Sequence, residues 1–171
     1  MLNRRNLLIA AATLPIATKV AAAGTANPHP ALVGGWSLVD AVTVEQDGKT
    51  GPWEGKAGPY TGLIAYLPSG FMAVQIANPR AGLAHNADFT KLPAEQRLAY
   101  LDSYYAYFAK WEFDAATSTV THHVVSALDP SEIGIVYHRK VALAGDTLTL
   151  TTINDPNSPR KSHNVLTWRR S

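Results

Sequence analysis

The sequence predicts a mainly β domain, an antiparallel barrel or sandwich of about eight strands with one helix inserted between the middle strands. Three observations predict it. Short stretches alternating apolar and polar residues recur along the chain, which is the period of a half-buried strand. Hairpin-length turns separate them, at Asp47-Gly48, Pro68-Ser69-Gly70, Ala115 to Ser118 and Gly145-Asp146. A single segment, "LPAEQRLAYLDSYYAYF", changes to helical spacing.

The first 23 residues stand apart from this pattern. "MLNRRNLLIAAATLPIATKVAAAG" carries Arg4-Arg5, then a short apolar stretch from Leu7 to Ala17, then Ala21-Ala22-Ala23. A charged opening, an apolar middle and small residues at the end form an export signal, and the arginine pair before Asn-Leu-Leu matches the twin-arginine form. The stretch is shorter than the roughly 20 residues of a membrane-spanning helix. Cleavage after Ala23 and a periplasmic or secreted mature protein, with no stable membrane span, are therefore expected. Loss of Arg4, Arg5 and Lys19 leaves 12 basic against 13 acidic residues and turns the formal charge from +2 to −1. No basic run longer than two residues survives, which argues against a nucleic-acid partner. The chain has no cysteine, so disulfides, thiol nucleophiles and thiolate metal sites are excluded.

Residues 24–30, "GTANPHP", read as a proline-broken linker, and the domain is expected over residues 31–171. "WSLVDAVTVEQDGKTGPW" alternates into the Asp47-Gly48 turn. "YTGLIAYL" and "FMAVQIAN" flank Pro68-Ser69-Gly70. With Leu67 opposite Phe71, Ile64 and Tyr66 share a face with Met72, Val74 and Ile76, and that apolar face is the inner one. Pro93 near a first turn, with Leu98, Leu101 and Tyr105 at helical spacing, predicts a helix over about 93–103. A strand follows from about Tyr105 to Phe113. "TVTHHVVSA", "IGIVYHRKVAL", "TLTLTTI" and "HNVLTWRR" complete the set.

Parity decides which polar groups face inward. Pairing Asp114 with Thr119 sets Phe113 opposite Val120, Trp111 opposite His122 and Ala109 opposite Val124, all on one apolar face. Lys110, Glu112, Thr121 and His123 take the other. His122 thus points in and His123 out, an assignment that a one-residue slip would reverse. In the next ribbon, Leu143 opposite Leu148 brings Val141 against Leu150 and Arg139 against Thr152, with Tyr137 in the same row. Arg139 is expected inside, where its charge requires a carboxylate, an aromatic cover or an anionic ligand. His138 faces outward. His122, His138 and His163 put no two imidazoles on one strand face, so no metal site is expected.

"LVGGWSLVDAVT", "GLIAYLPSGFMAVQIANP", "WEFDAATSTVTHHV", "VALAGDTLTLTT" and the closing "LTW" together resemble the bacterial and fungal lipocalin-like domain family, from Ala31 to Arg170. The resemblance implies a calycin-type, eight-stranded up-and-down barrel with an interior pocket. In lipocalins the Trp of the Gly-x-Trp opening plugs the closed end, and a basic residue of the last strand packs across it. Carried over, these are Trp36 with Arg169 or Arg170, and Arg169 is taken as the plug residue. The chain departs from secreted animal lipocalins in lacking cysteines and in placing its helix between middle strands, so their retinoid and odorant ligands do not carry over.

The expected pocket set is Tyr66, Met72, Trp111, His122, Tyr137 and Arg139. Tyr107 joins if its strand starts early, and Asn164 joins if Leu166 and Trp168 face in. An apolar cavity with a few convergent polar groups is the usual form of a small-molecule site. The first expectation is therefore a binder of a small apolar or aromatic molecule, polar at one end. No cofactor is expected, because the sequence has no Gly-rich dinucleotide loop and no phosphate loop. The alternative is a cofactor-independent isomerase, cyclase or decarboxylase. There His122 serves as general base or acid, Tyr66 or Tyr137 as proton donor, and Arg139 as oxyanion stabiliser. A barrel filled by its own side chains would do neither.

Overall fold

In the computed structural model, which describes residues 29–171, the alternating stretches pair into one antiparallel sheet that closes on itself. The expected signal, and the expected linker except His29 and Pro30, lie outside the described residues. The elements are β1 (Gly34–Val44), β2 (Thr50–Pro52), β3 (Thr61–Tyr66), β4 (Phe71–Ala77), α1 (Ala94–Asp102), β5 (Tyr104–Asp114), β6 (Thr119–Ala127), β7 (Val136–Ala144), β8 (Thr147–Ile153) and β9 (His163–Arg170). From β3 onward each strand pairs with the next, while β1 pairs with β3 on one side and β9 on the other. The barrel therefore has eight strands. The three-residue β2 is a spur hydrogen-bonded to β1, where the Asp47-Gly48 turn folds the chain back.

Tight turns set the registers. The Leu67 N–H donates to the Phe71 carbonyl across Pro68-Ser69-Gly70, which puts Tyr66 opposite Met72. Asp114 pairs with Thr119 and Trp111 with His122; Leu143 pairs with Leu148 and Arg139 with Thr152. Two irregularities interrupt the alternation. In β1 the pairing with β9 shifts between Leu38 and Asp40, so Val39 turns outward (55% exposed) and the inward parity passes from Trp36 to Ala41 and Thr43. In β6, Val125 is the extra residue opposite the Phe108 to Ala109 step.

The three short hairpins that join barrel strands, β3 to β4, β5 to β6 and β7 to β8, lie at one end of the barrel, opposite the Asp47-Gly48 turn, and that end is solid. Trp36, Trp111, Trp168, Tyr66 and Met72 are all fully buried. The Trp36 indole N–H donates to the Leu32 carbonyl (2.9 Å). The Arg170 guanidinium lies 4.0 Å from the Trp36 ring centre, and its two terminal nitrogens donate to the carbonyls of Val33 (3.1 Å) and Ala31 (2.6 Å). Arg170 therefore takes the plug position, and the expectation for Arg169 is corrected. Trp168 points inward, so strand alternation sends Arg169 outward and returns Arg170 to the core side.

The long connections gather at the opposite end. Helix α1 lies there, close to its expected bounds but with no buried residue. It is not packed into the core; Leu98 and Leu101 instead stand at the barrel mouth. No helix among the described residues is long and apolar enough to cross a membrane.

Candidate functional site

Above the plug the barrel is hollow. A cavity of about 1060 Å³ runs from the interior to the mouth, with Ile64, Val74, Ile76, Leu150 and Leu166 in its wall and many polar and charged side chains, Lys56, Asp102, Asp155 and Arg160 among them, in the rest of its lining. Pockets for drug-sized molecules span roughly 300–1,000 Å³, so this space is ample for a small ligand. The filled barrel held as one expectation is not the fold this sequence adopts.

His122 stands in the cavity wall. Strand β6 delivers it there because its apolar neighbours Val120 and Val124 face the same way. Two phenols clamp it: Tyr66 Oη lies 2.9 Å from Nε2 and Tyr107 Oη lies 2.7 Å from Nδ1. Tyr107 faces inward because β5 begins at Tyr104, early enough to carry it into the barrel. Burial, and then the nearby positive charge of Arg139, hold the imidazole well below its usual pKa. It is neutral, with one N–H and one lone pair.

The hydrogen-bond network assigns the tautomer. Tyr66 is fully buried away from the cavity, and His122 is its hydrogen-bond partner among the described residues. Its hydroxyl proton is satisfied when it donates to Nε2, which leaves the imidazole proton on Nδ1. The Nδ1–H then donates to Tyr107 Oη. Tyr107 lines the cavity, so its own hydroxyl proton is free to point into it. Burial raises both phenols, Tyr66 and Tyr107, well above the ordinary tyrosine range, and both remain protonated donors.

Arg139 and Tyr137 enter from β7. The guanidinium sits 4.9 Å from the Tyr137 ring centre, so the interior arginine has the aromatic cover among the three partners anticipated for it. Burial first, then the adjacent Glu132, push the Tyr137 hydroxyl up to about 12. Directly across the strand from Arg139 is Thr152. The Thr152 hydroxyl, the Trp168 indole N–H and one oxygen of Glu132 are buried without a hydrogen-bond partner among the described residues, and all three residues line the cavity.

The expected pocket residues therefore separate by depth. Tyr107, His122, Tyr137, Arg139 and Asn164 line the cavity. Met72 and Trp111 do not; they belong to the solid floor, with the Trp111 indole N–H donating to the Leu67 carbonyl (3.1 Å). Tyr66 also lies beneath the wall and reaches the cavity only through His122. Asn164 is in place, but its amide is engaged. Its oxygen accepts from Thr43 Oγ1 (2.9 Å) and its nitrogen donates to Glu54 Oε1 (2.5 Å), which also receives Arg160 Nη2 (3.0 Å).

Glu54, Arg160, Glu132, Thr152 and Trp168 were not among the expected site residues. Thr152 and Trp168 had a signal, since both fall on inward positions of predicted strands. Glu132 follows an Asp-Pro turn, and Glu54 needs a left-handed backbone (φ 50°) in a short 3-10 turn after β2; sequence periodicity carries no trace of either.

A closed eight-stranded barrel with one plugged end and a hollow interior defines a lipocalin-like protein. The model of the lipocalin-like domain family matches residues 33–171, and the chain belongs to that family. Ligand binding within the barrel is the general property of this fold. No match was found among curated proteins or among solved structures.

Proposed function

We propose that this protein is an exported binder of one small apolar or aromatic molecule, held in the barrel with its polar end inward. The observation that carries this reading is the hollow itself. A cavity of about 1060 Å³, part of its wall apolar, contains buried polar atoms, at Thr152 and Trp168, that find no partner among the described residues. Buried polar groups are almost always hydrogen-bonded, so these sites call for ligand atoms or bound water. Export is supported by Arg4-Arg5, the apolar stretch behind them and the small residues Ala21 to Ala23; the mature N-terminus is expected at Gly24, which sequencing of the secreted protein tests.

The catalytic alternative has less support. Both ring nitrogens of His122 are occupied by Tyr66 and Tyr107, and its burial opposes the proton gain that a general base must make. Titration with the neutral fluorophore N-phenylnaphthylamine tests the binding reading. The wild-type protein is expected to bind it and enhance its emission, and Leu150→Trp, which fills the cavity from β8, to weaken binding by at least about tenfold while keeping the far-ultraviolet spectrum. Failure to bind, or binding indifferent to Leu150→Trp, overturns the reading.

A further inference from the structure

Arg139 is half-buried in the cavity wall and carries five N–H donors. None of the ion pairs among the described residues includes it. Its one hydrogen bond among them is long, from Nη1 to the carbonyl of its own neighbour His138 (3.5 Å). Tyr137 covers a face of the guanidinium, and stacking leaves the donors along its edge unused. Glu132 also flanks Tyr137, yet no ion pair joins it to Arg139.

Donors line the wall beside Arg139, and one acceptor, the Glu132 carboxylate, is near enough for the two charges to act on each other without being in contact. Thr152 lies directly across the strand with its hydroxyl unpartnered among the described residues, and the tautomer of His122 releases the Tyr107 hydroxyl proton. Arg139 is near enough for its charge to act on His122, Tyr66 and Tyr107. A neutral ligand end such as an alcohol occupies one donor and leaves the half-buried guanidinium, once covered by the ligand, without a counter-charge in contact, which is costly. A planar oxyanion meets the guanidinium along its edge through two parallel hydrogen bonds and accepts from the hydroxyls beside it.

We propose that the polar end of the ligand is an acid group bound as its anion, a carboxylate seated on Arg139 with Tyr107 and Thr152 as flanking donors. This rests on the ligand-binding reading above and adds the sign of the charge. The protein is thereby assigned to apolar acids rather than to neutral apolar molecules of the same size.

Displacement of N-phenylnaphthylamine by a matched pair, decanoate and decanol, tests it. The two share a chain and differ in whether the end is charged. Decanoate is expected to displace the fluorophore at a concentration at least about tenfold lower than decanol. Arg139→Met, which keeps side-chain length and cover over Tyr137, is expected to abolish that preference, so that decanoate and decanol displace the fluorophore at equal concentrations whatever the variant's own affinity for it. Arg139→Lys restores part of it. If the fluorophore binds but the two competitors are equal, or if Arg139→Met retains the preference, this proposal falls while the binding reading survives. If the fluorophore does not bind the wild type, both fall. Should Arg139→Met fail to fold, the wild-type ratio alone decides.

Discussion

His122 is neutral in the native state because burial, and after it the charge of Arg139, opposes a second proton on the ring. The consequence for stability has a definite sign. Above about pH 6.5, the usual histidine value, native and unfolded chains both carry the neutral ring and the group contributes no pH dependence. Below it, the unfolded chain binds a proton that the native state refuses. Native stability therefore falls as the pH drops, by about 1.4 kcal/mol per pH unit, until the lowered native pKa is reached. His122→Gln cannot titrate. Between about pH 7 and about pH 5 the urea midpoint of the wild type should fall more than that of the variant; parallel declines would show that the imagined proton refusal does not exist. Alternation along "TVTHHVV" already told which histidine faces in. The clamp was not legible, since Tyr66 lies 56 residues away and Tyr107 lies 15 away. Alternation settles the face of a residue but not its height along the barrel axis. Tyr66, Met72 and Trp111 face correctly and still fall below the cavity.

At the scale of the strand, register was readable wherever a tight turn joins two strands, because a short turn leaves the pairing few alternatives. The shift in β1 was not readable. Leu38, Val39 and Ala41 are all apolar, so either parity looks reasonable until β9 pairs alongside. Arg169 and Arg170 pose the same problem at a chain end, resolved once Trp168 is placed inward. The close packing of β3 between its neighbours yields a prediction at this scale. A Cβ at Gly62 would stand 2.8 Å from the Gln75 carbonyl oxygen on β4 and 3.2 Å from both Ile76 Cγ1 and Leu38 Cβ. The first of these is backbone, so β4 itself has to move. Gly62→Ala should cost about 1–3 kcal/mol, the usual range for overpacking. Gly51 offers the control, for a Cβ there meets nothing within 4 Å. Gly51→Ala should leave the chemical denaturation midpoint close to wild type, and equal losses in the two variants would remove the steric account of β3.

The whole molecule divides along its axis. At the plugged end, short hairpins, three buried tryptophans and the Arg170 clamp on Ala31 and Val33 join the start of the domain to its last strand. At the mouth, α1 buries no side chain, and the 154–162 connection between β8 and β9 is held by polar contacts, Asn154 Nδ2 to the Ser162 carbonyl (2.7 Å) within it and Arg160 to Glu54 (3.0 Å) across the mouth. Local stability follows buried apolar contact, so hydrogen exchange should be graded from end to end. Amides of β1 near Trp36 and of β9 near Trp168 should exchange only through global unfolding, whereas those of α1 should exchange through local opening and far sooner. A ligand entering between α1 and the mouth loops touches the weak end and leaves the plug alone. N-phenylnaphthylamine at saturation should therefore slow exchange in α1 and in residues 154–162 beyond the uniform gain that binding to the native state confers. Uniform slowing across the barrel, or extra protection confined to the plug, would mean that the long connections do not form the entrance. The division of labour also accounts for what the sequence conceals: the plug and walls are written in alternation and turns, while the entrance is built from loops whose geometry arises only when distant segments meet.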